Sequence, residues 1–295
     1  MLATLVLVAG TVGVVYHDQI YRYATHLKGS PTETAAWQPF PGGQAPDLHV
    51  VVAGDVGDSG NRIDATGAAA ARLDQRLPVD ALLVLGDNVY PSGDPARLER
   101  TVFGPFADVL DHAALYAILG NHDVKKGNAE AQVAALGMPG RWWAAHLDGD
   151  VLLVGLDSNA VDDPVQRAWL EETLAAATER WRIVAVHHPP YSAGYQGSSN
   201  DVREAFAPLF ERYGVQLVLS GHDHDYQRSE PLNGVTYVVS GGASGTRRTG
   251  DDHFTAVSFS WHHFTELAVF PDRIVVRAVN QDMRVADEAA VLPGP

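Results

Sequence analysis

Ala81-Leu82-Leu83-Val84-Leu85-Gly86-Asp87-Asn88-Val89-Tyr90 runs from an unbroken aliphatic stretch into a glycine, an acid and a tyrosine. Five aliphatic residues in a row read as a strand buried on both faces, since a strand with one wet face alternates apolar with polar. Gly86 can turn the backbone sharply out of that strand, which sets Asp87 and Tyr90 at its carboxyl end. The same pattern repeats on either side. Leu48–Ala53 leads into Gly54-Asp55-Val56-Gly57, and Leu115–Leu119 into Gly120-Asn121-His122-Asp123. Ile183–Val186 leads into His187-His188-Pro189-Pro190, and Val215–Leu219 into Gly221-His222-Asp223-His224. Taken at Asp55, Asp87, Asn121, His187 and His222, the steps are 32, 34, 66 and 35 residues. A strand–helix–strand unit needs about 30 residues or more, so each step is one unit or two.

Helical stretches fall where those units require them, over Ile63–Leu77, Pro95–Phe103, Val165–Ala177 and Val202–Tyr213, and Val151–Leu156 adds a further strand. Asp163-Pro164 marks a helix start, because proline suits the first turn. Alternating strands and helices predict an α/β fold. Parallel strands then bring all five polar loops to one sheet edge, the carboxyl edge at which open α/β sheets bind ligands. The last third changes character, with strands over Val235–Ser240, Phe264–Phe270 and Arg273–Val279 joined by turns such as Leu232-Asn233-Gly234.

The chain has 295 residues and no cysteine, which excludes disulfides, thiolate metal sites and a cysteine nucleophile. Lys and Arg number 21 against 36 Asp and Glu, a net charge of −15. With lysine only at 28, 125 and 126, no nucleic-acid-binding surface is expected, since phosphate backbones reward basic surfaces. Three segments are expected. Residues 1–29 read as an apolar leader or N-terminal anchor built on Leu2–Val15, implying an extracytoplasmic location (secreted, periplasmic or membrane-anchored) and a means of membrane attachment. Residues 30–46, with prolines at 31, 39, 41 and 46, read as a linker, and 47–295 as the catalytic domain.

The strand-end loops collect two aspartates, a tyrosine, an asparagine and several histidines. That mixture of hard oxygen and imidazole donors suits first-row transition metals better than Ca²⁺ or Mg²⁺ alone. A carboxylate can bridge two ions, and paired metals about 3.5–4 Å apart are a recurring device for phosphoester hydrolysis. Singly, each Gly-Asp is ordinary as a turn with a helix cap, and each histidine as a hydrogen-bonded structural residue. Five such loops in register are hard to explain as packing.

In this order the motifs GDVG, GDNVY, GNHD, VAVH and GHDH resemble those of the purple acid phosphatases, within the calcineurin-like metallophosphoesterases. The resemblance spans Leu48 to about Gly245 and fits the small single-domain form. It implies an αββα sandwich of two mixed sheets with flanking helices. It also implies a dinuclear-metal hydrolase that cleaves phosphomonoesters by attack of metal-bound hydroxide. Asp55, Asp87, Tyr90 and His224 would hold Fe(III); Asp87, Asn121, His187 and His222 would hold a divalent Fe, Zn or Mn, with Asp87 bridging. Many relatives carry D-x-H in the first motif; this chain has Asp55-Val56-Gly57, and Tyr90 would supply the missing ligand. His122 would neutralise phosphate oxygens, with Asp123 placed to orient it. Asp123 reads equally well as a solvated loop acid.

One departure bears on catalysis. Relatives commonly carry a histidine nine positions after the VxxH histidine, thought to protonate the leaving group or grip phosphate; here the residue is Gln196. Glutamine can hydrogen-bond phosphate but cannot act as an acid. His188 or Tyr191 could substitute, or the leaving group could need no acid. A phosphodiesterase on the same scaffold therefore stays open, as does a catalytically idle metal-binding surface domain. Arg247, beside a glycine-rich loop, could bind a substrate anion, although an exposed basic turn is the simpler reading. His262-His263 reads as an ordinary strand edge. Gly57-Asp58-Ser59-Gly60 mimics a serine-protease motif without its upstream partners, and no nucleotide-cradling loop is present.

Overall fold

The computed structural model describes residues 29–294, so the leader expected over 1–29 lies outside the described residues except for Gly29. Two seven-stranded mixed sheets face each other. The first runs β1 (Ala35–Ala36), β14 (Arg284–Val291), β13 (Ile274–Asn280), β12 (His263–Val269), β2 (Leu48–Ala53), β3 (Ala81–Val84), β4 (Ala114–Ala117). The second runs β11 (Thr255–Phe259), β9 (Tyr226–Ser229), β10 (Thr236–Ser240), β8 (Leu217–Ser220), β7 (Trp181–Val186), β6 (Val151–Leu156), β5 (Trp143–Leu147). β2, β3 and β4 are parallel, as are β6, β7, β8 and β10, and antiparallel strands complete each sheet.

The period of two along each strand builds both layers of the second sheet. Ile183 and Ala185 of β7 face the first sheet, as do Leu217 and Leu219 of β8. Their neighbours Val184, Val186 and Val218 join Leu170, Leu174, Phe206 and Phe210 of the helices Pro164–Ala176 and Asn200–Arg212. The helix Asn61–Asp74 buries Ile63, Ala69, Ala70 and Leu73 in the larger core, with the buried Thr66 on the same 3.6-type stripe donating to Ala243 O at 2.8 Å. Asp163 caps the helix Pro164–Ala176 by accepting the Val165 N–H at 2.8 Å, with Pro164 in the first turn as expected. The expected αββα sandwich is therefore the observed architecture.

One segment differs from expectation. Pro95–Phe103 is not one α-helix but a tight turn, Pro95–Arg97, followed by a wide one, Glu99–Phe103. Asp94 caps the first, and the Gly104 N–H reaches Glu99 O at 2.8 Å. A Cβ at Gly104 would press on that carbonyl, so glycine permits the wide turn. The stretch read as a linker, 30–46, is fastened to the first sheet. Ala35–Ala36 pairs with β14, Trp37 and Phe40 are buried, and the Trp37 indole N–H donates to Glu266 Oε2 at 2.8 Å. Two large aromatics among the prolines supply the apolar area that holds this segment down. Among the described residues, no helix is long and apolar enough to cross a membrane.

Candidate metal centre

The loops after β2, β3 and β4 of one sheet meet those after β7 and β8 of the other. A bond from Gly54 N to Ser240 O at 2.9 Å ties the two edges together. All seven expected ligand side chains come together there, in two groups. In the first, the Tyr90 hydroxyl lies 3.0 Å from both Asp55 Oδ1 and His224 Nε2, and His224 Nε2 is 3.4 Å from Asp55 Oδ1. In the second, Asn121 Oδ1 lies 3.2 Å from His187 Nε2 and 3.1 Å from His222 Nδ1. Asp87 stands between them: its Oδ1 is 3.5 Å from His187 Nε2, and Asp55, Asp87 and His187 can converge on one point.

Backbone geometry at these positions is costly. Asp55, Asp87 and His222 have φ values of 58°, 51° and 71°, in the left-handed region that non-glycine residues rarely occupy. Such strain persists where surrounding structure fixes it. The backbone N–H of His222 donates to Asp55 Oδ2 at 2.8 Å, and that of His122 to Asp87 Oδ1 at 2.7 Å. Glycine is required alongside: a Cβ on Gly120 would collide with the Asp87 side chain.

Electrostatics favour a cation. Asp55 and Asp87 are buried, and among the described residues their ion-pair partners are histidines, not lysine or arginine. Burial and the Asp55 and Asp87 charges push the Tyr90 hydroxyl far above its ordinary range, so only strong positive charge would draw off its proton. Burial raises the Asp55 carboxyl, but its bond to His224 and the nearby imidazoles outweigh this and leave it below the usual value. Burial together with His187 pushes His222 down to about 4, keeping its ring neutral. The His187 Nδ1–H donates to Leu85 O at 2.7 Å, leaving the Nε2 lone pair aimed at Asn121 and Asp87, the arrangement of a ligating histidine. Oxygen-rich, buried and short of countercharge, this donor set fits two transition-metal ions.

The surrounding residues depart from expectation in informative ways. Asp123 does not orient His122. Its carboxylate is buried and accepts N–H groups from Asn88, Val89 and Gly120, while the His122 ring bonds Pro91 O at 2.8 Å and meets Lys125 Nζ at 3.1 Å. Burial and the Asp87 charge push the Asp123 carboxyl up to about 7. His188 lies against the expected ligands, its ring 4.4 Å from that of His222 and its Nδ1 2.7 Å from Ser158 Oγ, and one ring nitrogen each of His187, His188 and His222 can converge on one point. Burial and His187 hold it down to about 2. Gln196 and Arg247 line a 340 Å³ cavity over the centre, together with Asp87, Tyr90, His122 and His222. His262 and His263 form no metal site; His263 opens β12 and bonds Trp261 O and Ser240.

Two supporting residues escaped the sequence reading. Ser158 holds His188, and its signal was the polar cluster Asp157-Ser158-Asn159 at the end of β6. Asp223, inside the GHDH motif, accepts the Gln196 N–H at 2.7 Å and the Ser192 hydroxyl at 2.5 Å. A larger hollow of 910 Å³ opens at the opposite, amino ends of the second sheet's strands, where Arg180, Arg182 and Arg212 mix with Asp150, Glu179 and Glu211. It contains none of the seven ligand side chains.

Known proteins agree with this geometry. The family model for calcineurin-like phosphoesterases matches residues 48–226. Tartrate-resistant acid phosphatase type 5 from Homo sapiens is 32% identical over 240 residues, covering 68% of this chain and 74% of that protein. Among solved structures, purple acid phosphatase PPD1 from yellow lupin superposes with a TM-score of 0.73 at 19% identity, covering 88% of this chain and 55% of that one. GAP50, the anchor in the inner membrane complex of Plasmodium, superposes with a TM-score of 0.76 at 19% identity, covering 84% and 89%. Fold, converging donors and sequence kinship thus agree, and the chain belongs to the calcineurin-like phosphoesterase family, as a dinuclear-metal phosphoester hydrolase related to the purple acid phosphatases.

Proposed function

We propose that the protein is a phosphomonoesterase of purple acid phosphatase type, with Asp55, Asp87, Tyr90 and His224 holding Fe(III). Asp87, Asn121, His187 and His222 would hold a divalent ion, Fe, Zn or Mn. The observation that carries this reading is the grouping of donors: Tyr90, Asp55 and His224 gather within 3.4 Å of one another, His187 and His222 gather around Asn121, and Asp87 stands between. When bound, the ions would supply Lewis acidity and ionise the attacking water.

The chain's own residues do the rest. As ligands, Asn121 and the three histidines would be neutral and would leave the centre positive overall once it is loaded, favouring a phosphate dianion. His122 stands at the cavity wall, its ring bonded to Pro91 O and met by Lys125 Nζ at 3.1 Å, so an imidazole with a cation beside it borders the place a phosphoryl group would take. Gln196 and Arg247 offer N–H donors on the same wall. Asp123 acts through the loops it ties together, and His188 through its packing on His222. A cavity of 340 Å³ suits a small-molecule ester. The catalytic unit is assigned to 47–295 with 30–46 packed on it. An extracytoplasmic location, with 1–29 as leader or membrane anchor, rests on the apolar stretch Leu2–Val15 and is tested by cell fractionation.

Metal analysis with a visible spectrum tests the assignment. About two metals per chain, hydrolysis of an aryl phosphate, and a charge-transfer band abolished by Tyr90→Phe are the expected results. Zinc or manganese in both sites, with no band, would refute Fe(III) bound by Tyr90. Because Gln196 stands where the resemblance implies a histidine, diesters are the competing substrates, and a diester rate above the monoester rate would favour them.

A further inference from the structure

Packing on His222 accounts for the place of the His188 ring but not for its two nitrogens. A flat apolar ring would fill the same space, with centroids 4.4 Å from His222 and 5.1 Å from His187. The nitrogens are provided for separately. Nδ1 lies 2.7 Å from Ser158 Oγ, and that hydroxyl also accepts the backbone N–H of His188 at 3.2 Å, so ring and main chain are fixed from one point. His187 is held likewise, with its Nδ1–H on Leu85 O and its Nε2 turned to Asn121. With the Nδ1–H of His188 given to Ser158, its Nε2 keeps a lone pair, as a ligating imidazole requires. β7 ends at Val186, so the adjacent rings of His187 and His188 escape the alternation that would send strand neighbours to opposite faces. One ring nitrogen each of His187, His188 and His222 lies close enough to the others to meet a single ion. His188 does not line the 340 Å³ cavity, so this nitrogen is not placed to serve a substrate there.

We propose that His188 is a further ligand to the divalent ion, joining His187 and His222, and that it sets which metal that site prefers. This inference rests on the dinuclear reading above, in which Asp87, Asn121, His187 and His222 hold that ion. Those four residues offer oxygen and imidazole nitrogen in equal number. A third imidazole makes nitrogen the majority. Carboxylate and carbonyl oxygens suit Mn²⁺, whereas imidazole suits Zn²⁺, and three histidines are a recurrent zinc-binding set. Zinc exceeds manganese in affinity at most sites of this kind, so the contribution of His188 is the part of that preference that its nitrogen adds. Ser158 is then the residue that orients the added ligand, as hydrogen-bond partners of metal-bound histidines commonly do.

The test is a competition between metals. The full-length protein is dialysed against Zn²⁺ and Mn²⁺ together, and its bound ions are counted by elemental analysis. His188→Phe keeps a ring against His222 and removes the nitrogens. We expect the bound ratio of zinc to manganese to fall by about tenfold or more in this variant, the loss falling on zinc. Ser158→Ala leaves the imidazole but frees its Nδ1. It should move the ratio in the same direction, and it carries the test if the Phe variant does not fold. A side chain that only braced His222 would weaken the hold on both metals alike. Equal loss of zinc and manganese, or a ratio unchanged in both variants, would overturn the inference while leaving the two-metal assignment intact. Uptake of only about one ion per chain by the parent protein at saturating metal would instead defeat that assignment itself.

Discussion

The carboxylate of Asp123 accepts both the backbone N–H and the side-chain amide of Asn88, each at 3.0 Å. It also accepts the N–H of Gly120 at 2.9 Å, so one buried acid joins the loop that carries Asp87 and Tyr90 to the loop that carries Asn121 and His122. A covalently short motif, GNHD, thereby fixes ligands on two neighbouring strands. Asp123→Asn replaces one acceptor oxygen with an NH₂ group that faces N–H donors. Each donor left unsatisfied costs about 1–3 kcal/mol. We expect a lower unfolding midpoint in denaturant and weaker metal retention on dialysis. An unchanged midpoint would mean that the loops hold their places without this clamp.

The grouping of ligands predicts stoichiometry. Asp87 stands between the two sets, so Asp87→Asn should lose both ions, whereas Asp55→Asn and Asn121→Ala should each lose one and retain about one per chain. Elemental analysis of the three purified variants reads this directly. Equal loss in all three would mean that the centre forms only as a unit. Retention of both ions by Asp87→Asn would remove the bridge.

The strands were legible where physics leaves least choice. β2 and β6 are buried on both faces of their sheets, and the runs Leu48–Ala53 and Val151–Leu156 coincide with them residue for residue. β9, Tyr226-Gln227-Arg228-Ser229, carries no apolar run, and its polar side chains are satisfied by Asp287 for Arg228, and by Ser192 and the nearby Asp225 for Gln227. β14 lies near the sheet edge with mixed exposure and offers no continuous apolar signal. The same contrast holds at the site. The proposed ligands Asp87, Tyr90 and His187 stand out because they sit in strand-end loops whose motifs, in their order, resemble those of a known family. What Asp123, Asp223 and Ser158 bind is decided by which loops meet in space, and nothing local in the chain encodes that.

Trp37 shows what composition conceals. It lies in a stretch rich in proline and glycine, yet it is only 3% exposed and donates to Glu266, which also contacts His49 at 3.0 Å and Arg277 at 3.5 Å. Trp37→Ala should therefore cost about 3–5 kcal/mol, the usual range for a buried large aromatic. Trp37→Phe would keep most of the area and lose the hydrogen bond, a cost of about 1–3 kcal/mol. Urea unfolding of the two variants separates packing from polar contact. No loss in either would mean that this segment adds nothing to the stability of the fold.

His263 predicts how the fold responds to acid. It is buried at the start of β12, where its Nδ1–H donates to Trp261 O at 2.7 Å. Its Nε2 must therefore accept, and it faces the Ser240 hydroxyl at 3.1 Å, which in turn accepts from Thr265 at 2.9 Å. Burial pushes the imidazole down to about 4 from its ordinary 6.5. Between those values the unfolded chain binds a proton that the folded chain refuses, so stability rises with pH across this window. The contribution is fully present above about pH 6.5 and disappears as pH falls through about 4, a span on the order of 3 kcal/mol. His263→Gln removes the titration while keeping a donor and an acceptor. Its stability at neutral pH should be lower, but it should fall less than the parent's between pH 6.5 and 4 when both are followed by denaturant unfolding. Parallel pH profiles for the two proteins would show that acid unfolding is governed elsewhere, and that this buried histidine takes up its proton without penalty.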